Sequence, residues 1–267
     1  MAKPDDTQAT ATDAAVPTIS VVIPAYNEER IITRCLQALA DQTDLPDEIV
    51  VVDNCSTDNT VHLAKQFPTV RIISEPRQGI TYARQAGFDG ANGDVIARID
   101  ADTIVHPGWI ARIRQDFTDP ELHGQSGRAA IAEISPGNLF WGSWWYRGFR
   151  FWHERSIGVA PMLYGFNSAV RRQAWLSARH LVTMGDERVS EDVDVTIALL
   201  RSGHHLRYSS RMLVKARLFR SIDRKKLARY YATDSMTLAR HQFGNTRRWH
   251  RHSRSDSEAP SGRTRTF

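Results

Sequence analysis

"TISVVIPAYNEERIITRCLQALADQTDLPDEIVVVD" (residues 18–53) contains the fold in three pieces. "TISVVI" (18–23) is a continuous, apolar, β-branched run, the pattern of a strand covered on both faces. In "ERIITRCLQALADQ" (29–42) the period changes, and Ile31, Ile32, Cys35, Leu36 and Leu39 fall on one helical stripe. "EIVVVD" (48–53) restores the first pattern. Outward from this unit the alternation continues: "NTVHLAKQF" (59–67) as a helix with Pro68 behind it, "VRII" (70–73), "GITYARQAGFDGA" (79–91) and "DVIARI" (94–99). Four strands separated by helices within about 85 residues predict an α/β fold, a mostly parallel, Rossmann-like sheet flanked by helices.

Ligands of such sheets bind beyond the carboxyl ends of the strands. The polar residues there are Tyr26, Asn27 and Glu28 after the first strand, Asp53 and Asn54 after the second, and Asp100 and Asp102 after the fourth. Three strands thus deliver acidic or hydrogen-bonding groups to one rim. A dinucleotide site would need a glycine-rich turn after the first strand. The turn here is "PAYNEE" (24–29), without glycine and with two carboxylates, and no Walker lysine motif occurs. Asp100 and Asp102 repel each other unless a cation lies between them. Their hard oxygens suit Mg²⁺ or Mn²⁺ arriving with a diphosphate.

Charge is unevenly spread. Arg201 to Phe267 carry 17 Lys and Arg against 4 Asp and Glu, whereas the first 200 residues carry 18 against 26. An acidic body with a basic end points to a polyanionic partner, a phospholipid surface or a pyrophosphate-bearing ligand. Nucleic acid is disfavoured, because no recognised nucleic-acid fold motif accompanies the charge. The two cysteines, Cys35 and Cys55, form no disulfide framework and suit a reducing, cytoplasmic setting. No apolar run is long enough to span a bilayer, and the N-terminus lacks the apolar stretch of a signal peptide. The expected organisation is a disordered leader (1–17), an α/β half that carries the ligand rim (18–109), a second half of the same domain (110–245), and a basic tail (246–267).

Five blocks carry a resemblance: "ISVVIPAYNEE" (19–29), "EIVVVDNCSTDNT" (48–60), "EPRQGITYARQAGFDGANGDVIARIDADT" (75–103), "YGFNSAVRR" (164–172) and "SEDVDVTIALLRSGH" (190–204). In this order, over roughly residues 18 to 208, they resemble the successive blocks of family-2 glycosyltransferases. The resemblance implies the GT-A fold, with a smaller C-terminal acceptor-side subdomain. It also implies a UDP- or GDP-sugar donor, Mn²⁺ or Mg²⁺, and a glycan or lipid-linked acceptor. Pro24, Ala25, Tyr26 and Glu28 would line the nucleotide pocket, Asp53 would contact the base, and Arg84 would lie near the phosphates. Asp100 and Asp102 match the D-x-D signature, Asp102 for direct metal contact and Asp100 for the ribose or a metal-bound water. Gly165 and Asn167 would adjoin donor sugar and acceptor. Asp192 would be the general base, with Glu191 beside it. A single carboxylate base with direct displacement gives inversion, whereas a covalent intermediate would need two catalytic carboxylates.

Plainer roles exist for the same residues. Asp100 and Asp102 could form a strand-end turn, and Asp53 could cap the loop before "STDNT". Glu191 and Asp192 could complement a helix dipole, as could His204 and His205 at its other end. Arg84 could be a solvated surface charge. The segment "NLFWGSWWYRGFRFWHERSIGVAPMLYGFN" (138–167) reads either as core packing or as an interfacial surface. In the second reading Trp144, Trp145, Tyr146, Phe149 and Phe151 interleave with Arg147 and Arg150, and the protein would be peripheral to the inner membrane face. No Q-x-x-R-W segment of the processive synthases follows the base, which favours one sugar per encounter. Arg217 and Arg220 are further candidates for pyrophosphate contact. Two other functions fit the α/β pattern, a sugar-phosphate nucleotidyltransferase and a non-catalytic nucleotide-sugar-binding module. The first usually needs a glycine-rich, basic loop where "PAYNEE" stands, and Asp102 and Asp192 speak against the second.

Overall fold

The computed structural model describes residues 16–137, 139–217 and 224–242. Apart from Val16 and Pro17, the expected leader lies outside these residues, as do Arg220 and the tail 246–267. Side chains of a strand point alternately to opposite faces, so a strand apolar at every position has to be covered twice. β1 (Ile19–Ala25) meets that condition and is buried throughout. Ile19, Val21 and Ile23 share one core with Ile32, Leu36 and Leu39 of α1 (Ile32–Ala40). Val22 belongs to a second core on the other face, with Val50 and Val52 of β2 (Glu48–Asp53).

The chain continues through α2 (Thr60–Ala64), β3 (Val70–Ser74), α3 (Ile80–Gly90) and β4 (Val95–Arg98). α2 is shorter than the predicted 59–67. Its end tightens into Gln66 and Phe67 amide bonds to Leu63 and Ala64, as the chain approaches Pro68, which disfavours helix in the residue before it. α3 lies close against the sheet. A Cβ on Gly87 would come 2.3 Å from a Val22 methyl, so only glycine permits the approach.

β5 (Ile104–Val105), α4 (Trp109–Asp116), β6 (Gly124–Ile131), α5 (Ser143–Ile157), β7 (Ser168–Arg171) and α6 (Arg172–Ala178) follow, then α7 (Glu191–Arg201), β8 (Leu206–Ala216) and α8 (Arg224–Arg240). One sheet runs β3-β2-β1-β4-β7-β6-β8-β5. The β1, β2, β3 and β4 pairings are parallel, and β6 pairs in parallel with β8. β7 is antiparallel to both β4 and β6, and β5 to β8. The expected acceptor-side half therefore has no sheet of its own and extends the first one. Trp109, Ile110 and Ile113 of α4 complete the first core, and Trp175 and Leu199 of α6 and α7 the second.

α5 answers the open question of the aromatic segment. Its inner side, Tyr146, Arg150 and Ile157, is buried, whereas Trp144, Trp145, Phe149, Phe151 and Trp152 are exposed. α8 is fastened by polar contacts: Asp234 to His153 of α5 at 3.0 Å, the Thr237 hydroxyl to the Ser190 amide at 2.7 Å, and His241 to Asp194 of α7 at 2.6 Å. Among the described residues no helix is long and apolar enough to cross a membrane.

Candidate active site

The rim is assembled from loops that hold one another. After β1 the chain turns through Asn27, whose φ of +54° lies in the left-handed region that asparagine tolerates. The Asn27 side chain accepts the Thr57 amide at 2.8 Å, and the Glu28 amide donates to the Thr60 hydroxyl at 2.8 Å. Glu29 accepts the Asn59 amide at 3.1 Å. The loop after β2 is thus fixed to the loop after β1. Asp53 accepts the Ser56 amide at 3.0 Å, the loop-capping role. Buried Asn54 bonds the carbonyls of Glu75 and Arg77 and the Gly79 amide.

Pro24 and Ala25 stand where β1 reaches the rim. They are the buried last residues of β1, and Ala25 packs in the core. Tyr26 and Asn27 are exposed, and Glu28 is half-buried.

At the β4 exit, Ile99 donates its amide to Val22 and Thr103 donates to Asp100, forming the turn that carries Asp100 and Asp102. Asp100 lies 3.7 Å from Arg98. Burial, with Asp102 and Glu191 nearby, pushes its carboxyl up to about 6 despite that arginine. Cys35 approaches the Asp100 carbonyl from α1, and burial beside both aspartates holds its thiol well above the ordinary range. It is therefore a packed thiol and not a nucleophile.

α7 brings its N-terminus to the same place. Glu191 is almost wholly buried and lies against both Arg98 and Arg84. Asp192 is 30% exposed and 3.4 Å from Arg98, and it accepts the Gly165 amide. Burial and the Glu191 charge push its carboxyl up to about 7, with Arg98 opposing. A carboxylate poised near neutrality, half open to solvent and held by two donors, has the properties of a general base. A Cβ on Gly165 would come 2.5 Å from the Arg98 guanidinium, so a side chain there would displace the arginine.

Three expectations change. Glu191 is committed to two arginines and is not a second base. Arg84 is fully buried, 3.5 Å from Glu191 and over the Trp175 ring, with two guanidinium nitrogens lacking hydrogen-bond partners. It is neither a solvated charge nor a rim residue open to phosphates. Asn167 is also fully buried. Its carbonyl accepts the Trp109 indole N–H at 2.9 Å, and its amide donates to the carbonyls of Arg128 and Met212. Every strong polar group of that side chain is therefore used inside the protein, and none faces a sugar. His204 bonds Ser177 and meets the His123 ring at a tilt of 47°, and burial lowers its pKa below the usual histidine value. Arg217 is exposed beyond β8.

The residue that sequence reading missed is Arg98. It lies in "VIARIDAD", a charge inside a strand buried at every position. That anomaly was the available signal, because a buried arginine needs carboxylates around it.

Among the described residues no three His, Cys, Asp or Glu side chains converge to hold a metal by themselves. Asp100 and Asp102 fit a different arrangement. Mg²⁺ or Mn²⁺ can take one or two carboxylates and complete its shell with waters and phosphate oxygens.

The sequence profile of glycosyl transferase family 2 matches residues 20–177. The chain is 37% identical over 106 residues to glycosyltransferase AglE of Haloferax volcanii, covering 37% of this chain and 35% of that protein. To the uncharacterized glycosyltransferase YibD of Escherichia coli it is 26% identical over 238 residues, covering 85% and 65%. Among solved structures, a mannosyltransferase of Pyrobaculum calidifontis in complex with GDP-Man and Mn²⁺ superposes with a TM-score of 0.61 at 21% identity, over 90% of this chain and 66% of that one. The glucosyl-3-phosphoglycerate synthase of Mycobacterium tuberculosis in complex with phosphoglyceric acid gives 0.60 at 21% identity, over 85% and 80%. These likenesses show the GT-A fold. The chain spans less than two thirds of the length of the two curated relatives named.

Proposed function

The chain belongs to glycosyl transferase family 2, and on that footing we propose that it transfers one sugar, with inversion, from a nucleoside-diphosphate donor to an acceptor hydroxyl of a glycan or lipid-linked molecule. The observation that carries this reading is Asp192. Its half-exposed carboxyl, raised to about 7, is held by the Gly165 amide and Arg98 on the rim that also carries Asp100 and Asp102.

In this mechanism the acceptor hydroxyl gives its proton to Asp192 as its oxygen bonds to the anomeric carbon. The bond from that carbon to the diphosphate oxygen breaks with its electron pair leaving on the diphosphate. Such a base typically contributes about 10² to 10⁴ in rate. Asp102, with Asp100 beside it, would hold a divalent ion, which when bound neutralises charge on the departing diphosphate. Arg98 keeps Asp192 and Asp100 at their spacing, and Glu191 with Arg84 forms the buried counter-charge behind it. Tyr26 and Asp53, on the loops after β1 and β2, would meet the nucleoside. The GDP-Man and Mn²⁺ complex of the Pyrobaculum neighbour supports a nucleotide-sugar donor with a divalent ion.

Thermal unfolding with UDP, GDP or dTDP, each with Mn²⁺ or with EDTA, tests the donor. A ligand at 100 times its Kd stabilises by about 2.7 kcal/mol, a midpoint rise of roughly 5–10 °C for a chain of this size. One diphosphate should give such a rise with Mn²⁺ and not with EDTA. A flat response to all three refutes the reading.

A further inference from the structure

We propose that the outer face of α5 docks on an anionic lipid bilayer. An isolated exposed aromatic is ordinary, but here Trp141, Trp144, Trp145, Phe149, Phe151 and Trp152 are each between 46% and 72% exposed. At about 200 Å² for a ring of this size, they expose on the order of 700 Å², above the largest apolar patch of a typical monomer. The rings are also ordered on the helix. At 100° per residue, Trp144, Phe151 and Trp152 fall in one arc with Gly148 between them, and exposed Trp141 stands in the turn just before the helix. Tyr146, Arg150 and His153 face the protein. The helix is two-faced, with its apolar rings on the wrong side for a core.

Ring chemistry and charge choose the occupant. Indoles with apolar bodies and polar N–H edges suit the headgroup boundary of a bilayer. Arg147 borders the arc and Arg155 stands at its C-terminal end, both exposed on the same helix. α8 packs beside α5 through a Trp152–Tyr231 ring contact of 5.8 Å. Its sequence carries five Lys and Arg against one Asp, and that Asp is buried on His153. Among the described residues, α5 and α8 thus present no exposed Asp or Glu beside this face, since Glu154 is paired with Arg150 and Asp234 is buried. An interfacial helix with aromatics on one side and arginines at its border inserts shallowly and is held by both burial and charge.

The inner side of α5 gives this face a purpose. Glu154 accepts the Met162 amide at 2.8 Å, His153 bonds the Tyr164 hydroxyl at 2.9 Å, and Tyr146 packs on Tyr164 and Phe166. These contacts brace the segment that ends at Gly165, the donor to Asp192. Resting on the transferase reading, this makes the acceptor an amphiphile held in the bilayer that α5 touches.

Flotation of the full chain with phosphatidylglycerol–phosphatidylcholine vesicles, against pure phosphatidylcholine vesicles, tests the surface without using the reaction. The protein should float with the anionic vesicles and lose most of that binding at high salt. The triple substitution Trp144→Ser, Trp145→Ser, Phe151→Ser should lower the bound fraction at least tenfold. It should leave the midpoint of unfolding and any Mn²⁺-dependent diphosphate shift unchanged. Anionic binding that the triple variant retains would assign the effect to basic residues elsewhere and overturn the proposal. So would absent flotation, or a concentration-dependent dimer that the triple variant abolishes, which would make the face an interface between copies. A diphosphate shift without flotation sinks only this inference, whereas flotation without a shift sinks only the transferase reading.

Discussion

Asp192 lies 3.4 Å from the Arg98 guanidinium, which also reaches Asp100 at 3.7 Å. One strand side chain thus joins the helix bearing the base to the turn bearing the aspartate pair. Arg98→Met would leave three carboxylates facing one another with only Arg84 nearby. Losing one partner of a buried ion pair costs about 3–5 kcal/mol, and urea unfolding at pH 8 should show a loss of that order. The deficit should shrink at pH 5, where Asp100 and Asp192, already raised to about 6 and about 7, carry protons. Arg98→Lys, which keeps the charge but not the fork, should fall between. Equal stability of Arg98→Met and wild type at pH 8 would mean that this junction is not structural.

Asp192→Asn should reduce transfer by about 10² to 10⁴ while the Mn²⁺-dependent diphosphate shift persists. Loss of both would make the residue a structural one.

The same carboxyl sets a pH dependence. A base must be ionised, so kcat/KM should rise with pH and level off above about 7, an acid limb that Asp192→Asn should lack. Stability runs the other way. The folded carboxyl keeps its proton well above the ordinary 3.8, so the native state binds more protons than the unfolded chain between about pH 4 and 7. By linkage, this group's contribution falls as pH rises through that window. The midpoint of Asp192→Asn should therefore gain on wild type between pH 4 and pH 8. A constant difference across that range would contradict the assignment.

Asp102→Asn should remove the EDTA-sensitive part of the diphosphate shift, measured against the variant's own unliganded midpoint. A shift of undiminished size would move the ion elsewhere.

Asn167→Ala separates structure from recognition. It strands the Trp109 indole N–H and the carbonyls of Arg128 and Met212. Each unsatisfied group costs about 1–3 kcal/mol, so the midpoint should drop by several degrees or more. KM for either substrate should stay within about twofold in the folded fraction. A selective rise in acceptor KM would return the residue to the cleft.

The fold was legible because its signals are local. Val21 and Val22 are adjacent and both buried, which only a doubly covered strand allows, and the stripe of Ile32, Cys35, Leu36 and Leu39 reappears as the buried side of α1. The rim was legible where it follows directly from a strand end, as with Asp100 after β4, whereas Asp192, at the N-terminus of α7, rested on the resemblance alone. Asn167 and Arg84 were misplaced because a polar side chain near a site has the same letter whether it faces solvent or the interior. What separates the two is partners such as Trp109 and Glu191, 58 and 107 residues distant. The face of α5 was ambiguous for a similar reason. Tryptophans fit a core or a surface, and the inward positions of that helix go to Tyr146, Arg150 and His153, a set with no apolar periodicity to read.

The pairing of β4 with β7 has an engineering consequence. Severing the chain between α4 and β6 would strip Val95–Arg98 of its neighbour and bare a sticky ribbon in the front fragment, so neither piece should survive alone. Produced in the same cell, the two should zip together along that seam, and transfer would then report on their reunion.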